Sequence, residues 1–308
     1  MRSAFNEELL KIARADERIH MVLADIGYGE IEPFAAEFPD RFYNCGVAEQ
    51  NMTGVACGLA MEGKVAITYS IANFPTLRCL EQIRNDVCYH KQNVKIVIIG
   101  GGLAYGSLGV SHQATEDIAI MRALPDMVVV APADIQEARA ATHAMIAHEG
   151  PLYYRCGYKS EPDLHQGKID FELGKAIPVC DGEDVTLIGA GTITYRVYEA
   201  AELLAREGIK ARVLSMHTVK PIDREAILAA ARETGAVVTV EEHTICGGLG
   251  GAVAEVLAEA AVGIPFKMIG LPDTYVHLVG THDWLLDYYG FSPESIASTV
   301  RQLVRRDA

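Results

Sequence analysis

Short apolar, β-branched runs alternate with stretches of helical periodicity along the whole chain. That alternation is the signature of parallel α/β layers. In the first half the runs predict strands over residues 20–25, 65–70, 94–100, 127–131 and 152–155, with helices over 3–14, 47–61, 77–90, 115–122 and 135–148. From about residue 157 to 183 the periodicity fails. The stretch YKSEPDLHQGKIDFELGKAIPVCDGE is polar and punctuated by Pro and Gly, and reads as a linker with at most one edge strand. The pattern then restarts: DVTLIGAG, RVLSMH, AVVTVEEH and PFKMIGLP read as strands, and residues 193–207, 224–233, 250–261 and 293–304 as helices. The expected organisation is two α/β domains, 1–158 and 184–308, joined by a linker over 159–183. No repeat and no low-complexity tract interrupts it.

Composition narrows the class. The chain has 308 residues, 50% hydrophobic and 22% charged, enough apolar material for two packed cores. A formal net charge of −14 argues against nucleic acid or an anionic membrane as a general partner, although a local arginine pair can still hold an anionic substrate. The seven cysteines are odd in number, scattered, and form no CxxC pair, which fits thiols in a reducing cytoplasm rather than zinc or a disulfide framework. MRSAFNEELLKIARADERI reads as an amphipathic helix without the apolar core of a signal peptide, and no run approaches membrane-spanning length.

Candidate chemistry clusters in the first half. In FYNCGVAEQNMTGVACGLAMEG a turn at Gly46 opens a helix rich in small residues, with Glu49 in its first turn. An acid there already complements the helix dipole, and small residues already allow close packing, so the segment alone proves nothing. VAITYSIANFPTLRCLEQIRND then runs from a strand through an aromatic-bearing turn with Phe74 into a helix. The Gly-rich loop GGGLAYGSLGVSHQATED follows another strand and carries His112. Acid, aromatic and histidine thus fall beyond the C-terminal ends of candidate parallel strands, the edge where open α/β sheets bind ligands.

These strings carry a family resemblance. GVAEQNM, RCLEQIRND, SHQATEDIAIMRALP and VVAPAD resemble the pyrimidine-binding domain of transketolases, while LSMHTVKPID and TVEEHTICGGLGGAVAE resemble their C-terminal domain. The motifs stand in family order over nearly the whole chain. The chain looks most like the separately encoded C-terminal subunit of a split transketolase; 1-deoxyxylulose-5-phosphate synthases and 2-oxo acid dehydrogenase β subunits resemble it less.

The resemblance implies two-carbon ketol transfer between phosphorylated sugars with thiamine diphosphate. Glu49 matches the glutamate that hydrogen-bonds the aminopyrimidine, a charge-assisted bond of about 1.5–3 kcal/mol that favours the tautomer able to deprotonate the thiazolium carbon. The cofactor then acts as electron sink. Phe74 matches the aromatic stacked on the pyrimidine, Asp25 an aspartate near the cofactor, and Ile71 a ring position of the same pocket. His112 matches a histidine beside the reacting carbons, able to donate a hydrogen bond or move a proton. Arg155 and Arg2 fall where the family places arginines on the substrate phosphate, an anion that suits a guanidinium fork.

The family holds the cofactor diphosphate through magnesium on a GDG sequence followed by an asparagine. No GDG occurs here; Asp181-Gly182-Glu183 lies in the linker and lacks that context. Magnesium needs hard oxygen ligands, so the resemblance implies a partner subunit that carries the diphosphate-binding domain, most simply in an α2β2 assembly. On the substrate side Leu108 and Gly100 stand where the family carries an aspartate and a histidine. Gly29 replaces a serine, and Ile71 and Leu77 replace aromatic rings. Lost hydroxyl-binding groups change discrimination by orders of magnitude, so an atypical donor is expected. The rival readings are a decarboxylative carboligase, for which the same losses suit a less hydroxylated donor, and a non-catalytic partner-binding subunit, against which intact Glu49 and Phe74 argue. LIGAGTITY lacks the third glycine of a dinucleotide fingerprint, HTICGGLGG reads as packing, and His243 receives no role.

Overall fold

The computed structural model describes residues 1–158 and 162–304; linker residues 159–161 lie outside the described residues. The strands are β1 (Ile19–Leu23), β2 (Phe42–Asn44), β3 (Val65–Ile71), β4 (Val94–Ile99), β5 (Val128–Val130), β6 (Leu152–Cys156), β7 (Ile177–Cys180), β8 (Val185–Ala190), β9 (Ala211–Ser215), β10 (Thr218–Lys220), β11 (Val237–Thr244) and β12 (Phe266–Leu271). The helices are α1 (Arg2–Ala15), α2 (Glu32–Glu37), α3 (Glu49–Met61), α4 (Phe74–Leu77), α5 (Leu80–Gln82), α6 (Asp117–Ala123), α7 (Ile135–Ala147), α8 (Thr194–Arg206), α9 (Arg224–Glu233), α10 (Leu249–Glu259), α11 (His282–Tyr288) and α12 (Pro293–Val304).

Two sheets result. The first runs β10-β5-β6-β4-β3-β1-β2 and the second β12-β11-β8-β9-β7. Every pairing is parallel except β10 with β5 and β7 with β9. The central strands β1, β4 and β8 are buried at every position, because helices cover both faces. Helix α1 shows the matching logic: Ala4, Phe5, Leu9 and Ala13 are buried at helical spacing. Asp134 caps α7 by accepting from the Glu137 amide.

The α/β class holds, and the differences from expectation are local. The 77–90 helix is broken into α4, α5 and a π-helical turn at Ile83–Cys88. Strand β1 ends at Leu23, so Asp25 lies past it in the left-handed region at φ 53°. The end of the linker is strand β7, on the edge of the second sheet. The chain following β9 crosses back, and β10 pairs with β5 of the first sheet. The domains therefore share structure: Ile118 and Met121 of α6 lie in one buried cluster with Leu249 and Val253 of α10. Among the described residues no helix is long and apolar enough to cross a membrane.

Candidate active site

Strands β2, β1, β3, β4 and β6 are consecutive neighbours in the first sheet and run parallel. Their C-terminal ends therefore share one edge, and each carries a predicted residue. Glu49 opens α3 after β2, and Asp25 follows β1. Ile71 ends β3 with Phe74 just beyond, the His112 loop follows β4, and Arg155 lies near the end of β6. Parallel topology thus gathers onto one rim residues that sequence separates widely.

Asn44 ties two of these turns together. Its side chain donates to Asp25 Oδ1 at 3.0 Å and accepts from the Asp25 amide at 3.1 Å and the Gly46 amide at 3.0 Å. Gly46 turns at φ 68°, where a side chain would be strained, and launches α3 from Ala48. Hydrogen bonds from Asn44 and then Tyr28 hold the Asp25 carboxyl below the usual carboxylate range.

The Glu49 side chain is only 2% exposed. Its Oε2 accepts from Arg78 Nη1 at 2.6 Å, while Oε1 receives no hydrogen bond from any described residue. Arg78 also lies over the Phe74 ring, 4.9 Å from its centroid. Residue type alone did not single out this arginine, although it stands one helical turn after Phe74 within RCLEQIRND. Phe74 in turn meets the His112 ring edge-on at 5.1 Å. His112 Nδ1 faces Ser111 Oγ at 3.0 Å, and its Nε2 meets no hydrogen-bond partner among the described residues. Tyr105 closes the series, 6.3 Å from His112 and 4.5 Å from Tyr158. Acid, arginine, aromatic and histidine form one continuous wall.

The two arginines behave differently from a free phosphate clamp. Arg155 is 6% exposed and donates from Nε to Asp117 Oδ2 at 2.8 Å, and from Nη2 to the carbonyls of Ala114 and Glu242. Burial works against its charge, but Asp117 more than offsets that and holds the guanidinium above its ordinary range. It lines a small cavity with Gly157, Tyr158, Thr192 and His282. Arg2 bonds Glu30 at 3.1 Å and faces the Tyr158 ring at 5.8 Å. Each is thus engaged by a carboxylate.

The donor set fits a pyrimidine ring: a buried carboxylate with one uncommitted oxygen, next to a half-buried phenyl face, at a sheet edge. The family models match accordingly. Residues 1–157 match the transketolase pyrimidine-binding domain, and residues 174–296 the transketolase C-terminal domain. The chain belongs to the transketolase family.

Among its relatives is one subunit of an apulose-4-phosphate transketolase from Phocaeicola vulgatus, 40% identical over 307 residues, covering 99% of this chain and 97% of that protein. A 6-deoxy-6-sulfo-D-fructose transketolase subunit from Clostridium sp. (strain MSTE9) is 38% identical, with 99% and 95% covered. A 1-deoxy-D-xylulose-5-phosphate synthase of Heliobacterium modesticaldum is 36% identical, but this chain spans only 47% of it. A solved split-gene transketolase, described as an inactive β4 tetramer, superposes with TM-score 0.89 at 41% identity, covering 99% of this chain and 97% of that one. Family membership implies thiamine diphosphate dependence, and the structure explains one departure from the family pattern. A side chain on Gly100 would come within 2.4 Å of the Tyr105 ring, so Tyr105 fills the space that a histidine would need.

Proposed function

We propose that this chain is the second subunit of a split transketolase, which transfers a two-carbon ketol unit from a ketose donor to an aldose acceptor only together with a diphosphate-binding partner. The observation that carries the reading is buried Glu49, with one oxygen uncommitted, on a wall shared with Phe74 and His112. Thiamine diphosphate, when bound, supplies the electron sink for cleavage of a carbon–carbon bond beside a carbonyl. Glu49 would hold a protonated ring nitrogen by a charge-assisted bond, and the Phe74 face would receive the ring. Ile71 and Asp25, on the same sheet edge, would border the bound ring. His112, with Nε2 open, donates to the substrate oxygen or moves its proton.

Magnesium and the diphosphate belong to the partner's half, since this sequence carries no GDG motif. A cytoplasmic location agrees with the seven free cysteines, and α2β2 is the simplest assembly that completes the site. The engagement of Arg155 and Arg2 by Asp117 and Glu30, together with Gly100 and exposed Leu108, favours a donor read less by phosphate and hydroxyl contacts than by the aromatic wall. Two relatives are named for different sugars, apulose 4-phosphate and 6-deoxy-6-sulfo-D-fructose.

The test is calorimetric titration of thiamine diphosphate with magnesium into the chain alone and into its mixture with the diphosphate-domain subunit. Binding to the mixture only, followed by ketol transfer without release of carbon dioxide, is expected. Tight binding to the isolated chain would refute the split site, and carbon dioxide release from pyruvate would turn the reading to decarboxylative carboligation.

A further inference from the structure

The loop between β4 and α6 carries His112 and is built from short turns, the Gly106 amide bonding the Leu103 carbonyl and the Leu108 amide that of Tyr105, each at 2.8 Å. Gly102 and Ala114 exchange amide–carbonyl bonds at 2.8 and 3.0 Å, closing its base. Beyond that base, the Asn73 side chain of the first domain donates to the Ser111 carbonyl at 3.1 Å, and the fixed points of residues 103–106 belong to the second domain.

Leu103 is the principal one. Its side chain is fully buried in the cluster built from Leu187, Val240 and Leu285. Its amide donates to Glu242 Oε1 at 2.5 Å, and His282 Nε2 donates to the same oxygen at 2.8 Å. Glu242 is 2% exposed, so this carboxylate is desolvated and directed at a backbone amide. Such a charge-assisted bond fixes position, whereas apolar contact alone only removes area from water. The approach is close enough to exclude a side chain at Gly102, where a Cβ would lie 2.5 Å from the Glu242 carboxyl. A second fixed point follows at Gly106, whose carbonyl accepts from the Gly280 amide at 3.3 Å and against which Leu285 leaves no room for a Cβ. From there the chain turns at Gly109, φ 75°, and the His112 amide bonds the Gly109 carbonyl at 3.0 Å. His112 then stands between Phe74 and Tyr105.

We propose that Glu242, supported by His282, is a positioning residue: the second domain holds the His112 loop at working height through the Leu103 amide. This rests on the catalytic role proposed for His112. It gives Glu242 of AVVTVEEH, which by sequence reads only as a strand, a part in the reaction.

The test uses Glu242→Ala and Glu242→Gln in the complete two-subunit enzyme, with hydrogen exchange of the 102–112 segment read on the same proteins. Glutamine keeps an oxygen able to accept both N–H groups; alanine does not. Glu242→Ala is expected to speed exchange in that segment but not in β8 or β11, and to lower kcat about 100-fold with KM little changed, as for a catalytic group misplaced by an ångström. Glu242→Gln is expected to restore most of both. His282→Ala, which leaves the Leu103 bond in place, serves as the milder variant if Glu242→Ala does not fold, and should loosen the same segment less.

Unchanged loop exchange in the alanine variant would overturn the proposal. So would faster exchange with kcat intact, or equal losses in the alanine and glutamine variants that track a lower melting temperature. A wild-type complex without transferase activity would instead count against the function, because the exchange measurement does not depend on activity.

Discussion

Glu49→Gln separates the chemical role of the acid from its structural one. The substitution preserves shape but replaces one carboxylate oxygen with an NH2 group, so a donor would face a protonated ring nitrogen that itself needs an acceptor. The lost charge-assisted bond is about 1.5–3 kcal/mol. At tenfold per 1.36 kcal/mol, kcat/KM of the reconstituted enzyme should fall about 10- to 150-fold. The structural cost is smaller. The Arg78 side chain is 47% exposed, so losing its partner strands no buried charge. What remains is the favourable placement of an acid in the first turn of α3, about 0.3–1 kcal/mol. The assay is steady-state ketol transfer by wild type and variant at saturating partner, with cofactor titration and thermal unfolding of both chains. A wild-type rate in Glu49→Gln would refute the assignment. A rate loss explained by a large drop in melting temperature would assign Glu49 to the fold instead.

Two further outcomes follow from buried charges outside that pocket. Asp117→Asn leaves Arg155 buried without its counter-charge and should cost about 3–5 kcal/mol in denaturant unfolding; a change below about 1 kcal/mol, within the range of ordinary surface pairs, would contradict the burial argument. Lys95 is buried in β4, where desolvation pushes its ammonium down to about 7. A neutral amine has two N–H groups for the two carbonyls it meets, those of His148 and Gly150. Between that value and the unfolded value near 10.5 the unfolded chain holds a proton that the folded chain lacks, so raising pH favours folding. Urea midpoints should therefore rise from pH 7 toward about pH 10 in wild type relative to Lys95→Met; parallel profiles would show that Lys95 stays charged in the fold.

The alternation of apolar runs and helical periods determined the α/β class and five strands of the first sheet, because a strand buried on both faces needs a continuous apolar run wherever it lies in the fold. Strands β2 and β10 were illegible for the converse reason, since FYN and TVK form no apolar run. They are three residues each and exist only through pairing with β1 and β5. Glu49, Phe74 and His112 could be picked out by type and position, because parallel strands place their following loops on one edge. Which groups those residues meet was decided by tertiary structure alone. Only the assembled fold joins Arg78 to both Glu49 and Phe74, commits Arg155 to Asp117, fills the space beside Gly100 with Tyr105, and carries Glu242 across 139 positions of sequence to the Leu103 amide. Periodicity records which face of an element is buried; it holds no record of which distant side chain arrives there.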